Sequence, residues 1–360
     1  MKGRNLLNGN DESFVYEETD LIFQGSTKTA YYKAENKGNK SIDDVNWKPI
    51  SDFWPITPIL SFILALLENL FVPTVQTVNL FPYRLFLIAF IIIFATWYLI
   101  SFFNDKIKIR LNQQSQLYFA IGLVLLIWDI ASTKTDFLPL PFFPSLAQIL
   151  DSMIQDRATL IISTAYSMRL LVIGFSIGTA IGLSTGVLIG WYKQWYYWLF
   201  PVLKVIGVVP AVAWIPIAMI IFPSSFIAEI FLIVLCVWFP VTFMTSSGIV
   251  NIPKTYFEAA RTLGADEKFL IFKVAIPAAM PSIFTGIYTA TGSSFATLVV
   301  SEMIGAKAGL GWYINWAKGW SNYAKVYASI IIMAIVFSIA MKIIFKIRDK
   351  ILIWQKGLLK

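Results

Sequence analysis

Apolar residues in this chain come in long blocks, not in the strict alternation of half-buried strands. The block YRLFLIAFIIIFATWYLISFF, residues 83–103, is long enough to cross a hydrocarbon core, which needs about 20 mainly apolar residues. Blocks over 116–132, 164–190, 199–222, 226–248, 277–300 and 324–345 predict six further spans. A first stretch, FWPITPILSFILALLENLFVPTV (53–75), is interrupted by Glu68 and Asn69. A charge at the centre of a span costs about 2.5–3.5 kcal/mol on insertion scales, so this stretch reads as either a short span or an interfacial helix. The pattern predicts an all-α, polytopic membrane protein with a six-helix core and one or two extra N-terminal transmembrane helices.

The polar stretches divide the chain. Residues 1–52 hold nine acidic and seven basic positions with no sustained period, and read as an irregular tail. They contain no apolar h-region of the kind a cleavable signal peptide needs. Residues 53–115 read as the extra membrane segment or segments, closing on NDKIKIRLNQQ as a short basic loop. The Pro-rich connection TDFLPLPFFPSLAQILDSMIQDR predicts a short helix from Ser145 outside the membrane, and 351–360 reads as a tail. Basic residues set the orientation. Lys106, Lys108, Arg110, Lys193, Lys254, Arg261, Lys268 and Lys273 fall in alternate inter-span loops, with five more in the tail. The opposite loops hold Lys134, Arg157, Lys307 and Lys318, with Lys325 at an edge. The loop at 251–276 and the C-terminus are therefore expected in the cytoplasm.

Composition removes several function classes. The chain is 57% hydrophobic and 14% charged, against about 25% charged for a soluble domain. Its net charge of +8 sits in loops and tail, as membrane topology explains, and gives no reason to expect nucleic acid. There is no histidine, which removes the commonest metal ligand and neutral-pH proton shuttle, and no metal site is predicted. The single cysteine, Cys236, allows no disulfide framework. No phosphate-binding loop is present; GIYTATGSS lacks both the lysine and the spacing. ATP chemistry is therefore expected in another chain.

Within the spans, Gly174, Gly178, Gly182, Gly186 and Gly190 recur every fourth residue and form one small-residue face, suited to close helix packing. Pro201, Pro210, Pro216 and Pro223 break the next span, which reads either as a kinked packing helix or as a helix lining a path. Ser293, Ser294 and Thr297, with Glu302 at the end of their span, join Pro210 and Pro216 as candidates for a translocation path. Ordinary interhelical hydrogen bonding explains the same hydroxyls. Asp129, Lys204 and Glu229 lie nearer span ends, where snorkelling explains them as well as a binding role does, and they name no site.

One hydrophilic segment stands between two apolar blocks. KTYFEAARTLGADEKFLIFKVAIP, residues 254–277, carries seven charges. Helical spacing sets Tyr256, Ala260 and Leu263 on one face, with Phe257 and Arg261 beside it. Glu258 suits the early part of the helix, Gly264 is fitted to end it in a left-handed cap, and Asp266 can cap a following helix. Ala259 and Ala260 leave a notch into which another surface can fit.

The run Glu258-Ala259-Ala260, three residues, Gly264, nine residues, Val274-Ala275-Ile276-Pro277 resembles the EAA loop of binding-protein-dependent ABC importer permeases. The words RLLVIGF (169–175), VPAVAWIPIA (209–218), PAAMPSIFTGI (277–287) and SEMIGAKAGLGW (301–312) are similar to the nitrate/sulfonate/taurine branch, which includes bicarbonate carriers. Phe222-Pro223 departs from the Phe-Gly common there. The resemblance covers 116–350. It implies a non-enzymatic permease subunit of an ATP-driven importer, multi-pass in a bacterial-type plasma membrane and carrying a small solute inward. It also implies the partners: a second permease subunit, with a homodimer expected, two cytoplasmic ATPase subunits that bind ATP and magnesium, an extracytoplasmic substrate-binding protein, and membrane lipid around the spans. Glu258, Ala259, Ala260, Arg261, Gly264 and Pro277 would form the ATPase-coupling surface. The other readings are a secondary transporter, for which no repeated broken helix is seen, and a membrane-embedded enzyme, for which no acid/base cluster is seen.

Overall fold

The computed structural model describes residues 54–75, 78–135 and 137–353. The expected tail at 1–52 and most of that at 351–360 lie outside these residues. All regular structure among the described residues is helical. In chain order the helices are α1 (Thr57–Phe71), α2 (Phe81–Ser101), α3 (Asp105–Asp129), α4 (Leu146–Gln155), α5 (Arg157–Trp191) and α6 (Lys193–Val208). There follow α7 (Ile215–Ile221), α8 (Ser225–Val250), α9 (Lys254–Thr262), α10 (Ile276–Gly305), α11 (Leu310–Gly319) and α12 (Tyr323–Ile351). Among the described residues seven helical stretches are long and apolar enough to cross a membrane, and the bent pair α6–α7 passes the test only when its two halves are taken together, as a broken span or a re-entrant loop.

Two expectations change. The segment 104–115 is not a loop: α3 starts at Asp105, with the amides of Ile107 and Lys108 bonded to the Asn104 carbonyl at 3.0 and 3.1 Å. Nothing between 105 and 121 can stop a helix, since the stretch has no Gly or Pro and is rich in Ile, Leu, Lys and Gln. The stretch around Glu68 is helical from Trp54 to Phe71 and passes the same length and apolarity test as the other spans. Its polar residues form a network in which the Glu68 carboxylate itself accepts no hydrogen bond: Asn69 Nδ2 donates to Asp129 (3.0 Å), Arg84 Nε donates to Asn69 Oδ1 (2.9 Å), and Thr133 Oγ1 donates to Asp129 (2.7 Å). Lys134 Nζ donates to the Val72 carbonyl (2.6 Å) and lies 3.7 Å from Glu68. Charged residues persist inside membrane proteins when they pair away from lipid, as here. A core of Phe62, Ala65, Tyr83, Leu87, Phe94 and Leu126 closes this three-helix unit.

The contacts joining that unit to the rest gather at one end. Ala147 of α4 enters its core, Asn79 donates to Asp151 (3.1 Å), Trp128 donates to the Pro144 carbonyl (3.1 Å), and Trp128 meets Tyr327 edge-on. Ser145 caps α4 with a reciprocal Gln148 bond, as its position in the sequence predicted. At the same end Tyr313 Oη and Lys325 Nζ both reach Asp156 Oδ2 at 2.6 Å, clasping α11 and α12 to the start of α5. Burial pushes the Asp156 carboxyl up, but the hydrogen bonds from Lys325 and Tyr313 and the lysine charge outweigh it and hold the group below its ordinary value.

The centre of the C-terminal bundle is the α5–α8 seam. A Cβ added to Gly174, Gly178, Gly182, Gly186 or Gly190 would meet the side chain of Ile233, Val237, Val241, Thr245 or Ile249 respectively, at 2.6–3.0 Å. The partners also recur every fourth residue, and all are β-branched. Such side chains are stiff at χ1, so they form a rigid ridge, and the glycines form the groove it fills. Beside this seam the proline-rich span is broken, not merely kinked: α6 and the 211–221 segment meet at 91° around Val209 and Pro210.

Candidate functional site

Helix α9 leaves the bundle between two spans and has no buried side chain. Its one firm anchor is Phe257, which meets the Trp191 ring at 5.4 Å in a T-shaped contact. Tyr256 and Leu263 are 61% and 89% exposed, Glu258, Ala259 and Arg261 are exposed, and Ala260 is half-buried. Apolar side chains thus lie exposed beside an alanine notch and one charge of each sign.

The end of α9 is built by its sequence. Gly264 has φ +84°, its amide bonds the Arg261 carbonyl at 2.9 Å, and the Ala265 amide bonds the Ala260 carbonyl at 3.1 Å. This pair of bonds is a Schellman cap, and it requires the left-handed residue that glycine supplies. No heavy atom lies within 4 Å of a Cβ placed on Gly264, so the glycine serves the backbone turn and not a close contact. Asp266 then accepts from the Phe269 amide at 2.8 Å and starts the next helical turn. That turn runs through a π-helical stretch, Leu270–Ala275, into α10, with the Ile276 amide bonded to the Ile271 carbonyl. Pro277 cannot donate to the Lys273 carbonyl, and the widened ladder just ahead of it accommodates the lost bond.

The path candidates separate. Ser293 is exposed, on the outward face of α10 with Thr285, Thr289, Gly292 and Ala296. Ser294 and Thr297 are buried; Ser294 Oγ donates to the Thr291 carbonyl (2.8 Å), and Thr297 Oγ1 approaches Cys236 Sγ (3.3 Å). A rotation of 100° per residue places neighbours 293 and 294 on different faces, which the expected grouping overlooked. Pro210 lies exposed at the bend, and Pro216 is exposed in the first turn of α7.

Glu302 is 1% exposed, and both of its oxygens are engaged. Ser167 Oγ donates to Oε1 at 2.6 Å and the Gly311 amide to Oε2 at 2.8 Å, while the Leu310 amide donates to Ser167 Oγ at 2.9 Å. A Cβ on Gly309, where φ is +130°, would fall 2.5 Å from the Glu302 carboxyl. Glu302 therefore clasps the 306–311 turn to α5 and offers no oxygen to a passing solute in this structure. Ser167 was not singled out from sequence, and Phe257 was placed on a helix face without its Trp191 partner; only the three-dimensional contacts reveal both roles. Gly309 and Gly311 lay inside the quoted word SEMIGAKAGLGW without a role.

Residues 178–352 match the family described as binding-protein-dependent transport system inner membrane component. The chain is 32% identical over 124 residues to a putative ABC transporter permease protein of Methanocaldococcus jannaschii, covering 34% of this chain and 46% of that one. It is 35% identical over 108 residues to a bicarbonate transport system permease protein of Synechococcus elongatus, covering 30% and 39%. With a nitrate import permease protein of Synechocystis it shares 29% over 169 residues, covering 45% and 62%. The chain thus spans less than two thirds of these relatives. Among solved structures, an inward-facing methionine ABC transporter matches with a TM-score of 0.47 and 19% identity over 55% of this chain and 98% of that one.

Proposed function

We propose, from the match of residues 178–352 to the binding-protein-dependent transport family, that this protein is an ABC importer permease, the membrane subunit through which a separate ATPase drives uptake of a small anion. Relatives named for nitrate and bicarbonate support that substrate class. The observation that carries the mechanism is α9: a capped helix with exposed apolar side chains, set between two spans and anchored through the Phe257–Trp191 contact. It fits a cleft on a soluble partner, and ATP and magnesium belong to that partner. On this reading α9 and the C-terminus face the cytoplasm, two permease subunits face each other, and a binding protein delivers solute to the opposite side.

Magnitudes indicate how α9 works. Reversing a 1:99 conformational preference takes about 5.5 kcal/mol of differential binding. An exposed ion pair from Glu258 supplies at most about 1 kcal/mol. The docked helix as a body must therefore carry the coupling, with Glu258 and Arg261 setting its register. Between the docked helices, the outward face of α10 with Thr285, Thr289 and Ser293 supplies small hydroxyl-bearing positions for a path wall, beside the bend at Pro210.

Uptake in cells under two conditions tests the proposal. Depleting ATP with ion gradients held should stop import, whereas collapsing the gradients with ATP maintained should leave it. The reverse pattern would make the protein a secondary transporter.

A further inference from the structure

The lower part of α12 is poorly covered. Its buried residues are Ala328, Ser329 and Met333, all in its first half, and beyond Met333 no residue of the helix is buried. Two cavities of about 440 and 430 Å³ share Thr164 and Met168 and so form one trough along the α5–α12 seam. Phe175, Phe295, Ile339 and Ile343 line its length, and Arg157 stands at its upper end. The Phe295 ring, stacked on Phe337 at 4.1 Å, forms part of the floor. From Arg157 to Ser176 the α5 wall runs about 28 Å at 1.5 Å per residue. One leaflet of a hydrocarbon core about 30 Å thick is about 15 Å.

We infer that this trough holds one anionic glycerophospholipid, its phosphate on Arg157 and one acyl chain lying between α5, α10 and α12. Three observations converge. The trough lies among membrane-spanning helices, where lipid chains are the surrounding solvent. Its walls are apolar over more than the depth of a leaflet. Its upper end carries an exposed guanidinium to which no described residue is paired, at the level where a headgroup would sit. Asp156, the neighbouring carboxylate, is already taken by Lys325 and Tyr313. A guanidinium suits a phosphate bidentately, and with Lys325 nearby it repels the amine of a zwitterionic headgroup. The seat lies at the face opposite α9, so it is independent of ATPase docking.

The test uses the full chain in nanodiscs of mixed phosphatidylglycerol and phosphatidylethanolamine, with a trace of phosphatidylglycerol bearing a diazirine in its acyl chain. Labelling should concentrate on 164–176 and 336–347 over the lipid-facing helix at 81–101. Native mass spectrometry should show one retained phosphatidylglycerol. Arg157→Gln, a surface change, should lower its retention about tenfold, the factor expected for one charge-assisted contact. Ala340→Phe, which fills the trough, should abolish the local labelling. Uniform labelling across helices, or retention unchanged in Arg157→Gln, would overturn the assignment. So would crosslinks from the trough to residues 1–53 or to a second copy, which would show a protein occupant.

Discussion

Gly264 is the residue on which the geometry of α9 turns. Its φ of +84° is one that an L-residue adopts at a cost of about 1–2 kcal/mol, and a β-branched side chain fits it worst. Gly264→Val should therefore spoil the Schellman cap and tilt α9, whereas Glu258→Gln removes one exposed charge. In the reconstituted complex, binding-protein-stimulated ATP hydrolysis should fall much further in Gly264→Val than in Glu258→Gln. Equal losses would count against docking of the whole helix. At the other face, the Asp156 carboxylate is held below its ordinary value in the folded protein, so the unfolded chain binds its proton first as pH falls. The stability it contributes is fully present above about pH 4 and is lost as pH drops through the lower folded value. The gap in melting temperature between wild type and Asp156→Asn should stay constant from pH 7 to 5 and close under stronger acid. The role of Gly264 was legible in the sequence because a cap is local. The Asp156 clasp was not, because Tyr313 and Lys325 come from more than 150 residues away.

Among elements, the α5–α8 seam was half legible. Five glycines at intervals of four announced a close contact, but not its partner. The answering ridge at 233, 237, 241, 245 and 249 is ordinary apolar sequence until the two helices are laid together. Its closeness varies along the seam, and that variation is testable. A Cβ at Gly186 would meet Thr245 Cβ at 2.6 Å and the Thr242 carbonyl at 2.9 Å, whereas at Gly190 the nearest atom is Ile249 Cβ at 3.0 Å. Overpacking of this kind costs about 1–3 kcal/mol. Gly186→Ala should lower thermal stability in detergent more than Gly190→Ala does. Gly182→Ala should be partly rescued by Val241→Gly, which removes the Cβ 2.8 Å away. The proline-broken span was also visible as a break. Its angle of 91° was not, since prolines mark where a backbone yields and the surrounding helices decide how far.

At the scale of the whole molecule, hydropathy gave the order of the long apolar helices and left only 53–75 open, because length and apolarity are what a bilayer selects. It erred where helix and span part company: α3 continues through the basic stretch expected as a loop, and α10 continues past its predicted end at 300 to Gly305. Eight crossings, counting α6–α7 as one, place the 72–80 and 306–322 connections on one side and α9 on the other. In a Cys236→Ser background, an impermeant thiol reagent should label Asn79→Cys and Lys318→Cys from the same side, and Tyr256→Cys only from the opposite one. Labelling of Asn79→Cys together with Tyr256→Cys from one side would take α2, or the bent pair α6–α7, out of the count of crossings. Local backbone features were legible, as in the helix end at 264, because a cap depends on its own few residues. Site roles were illegible where a carboxylate such as Glu302 is consumed by a turn that folds back onto it.

The glycine groove also restricts how this protein can change length. Sliding α5 by one, two or three residues would set β-branched side chains against positions that already carry a Cβ, whereas a shift of four restores the match for every pair but the last. The seam behaves as a ratchet with a pitch of one turn. Insertions or deletions between 174 and 190, or between 233 and 249, should therefore survive in related chains only in multiples of four.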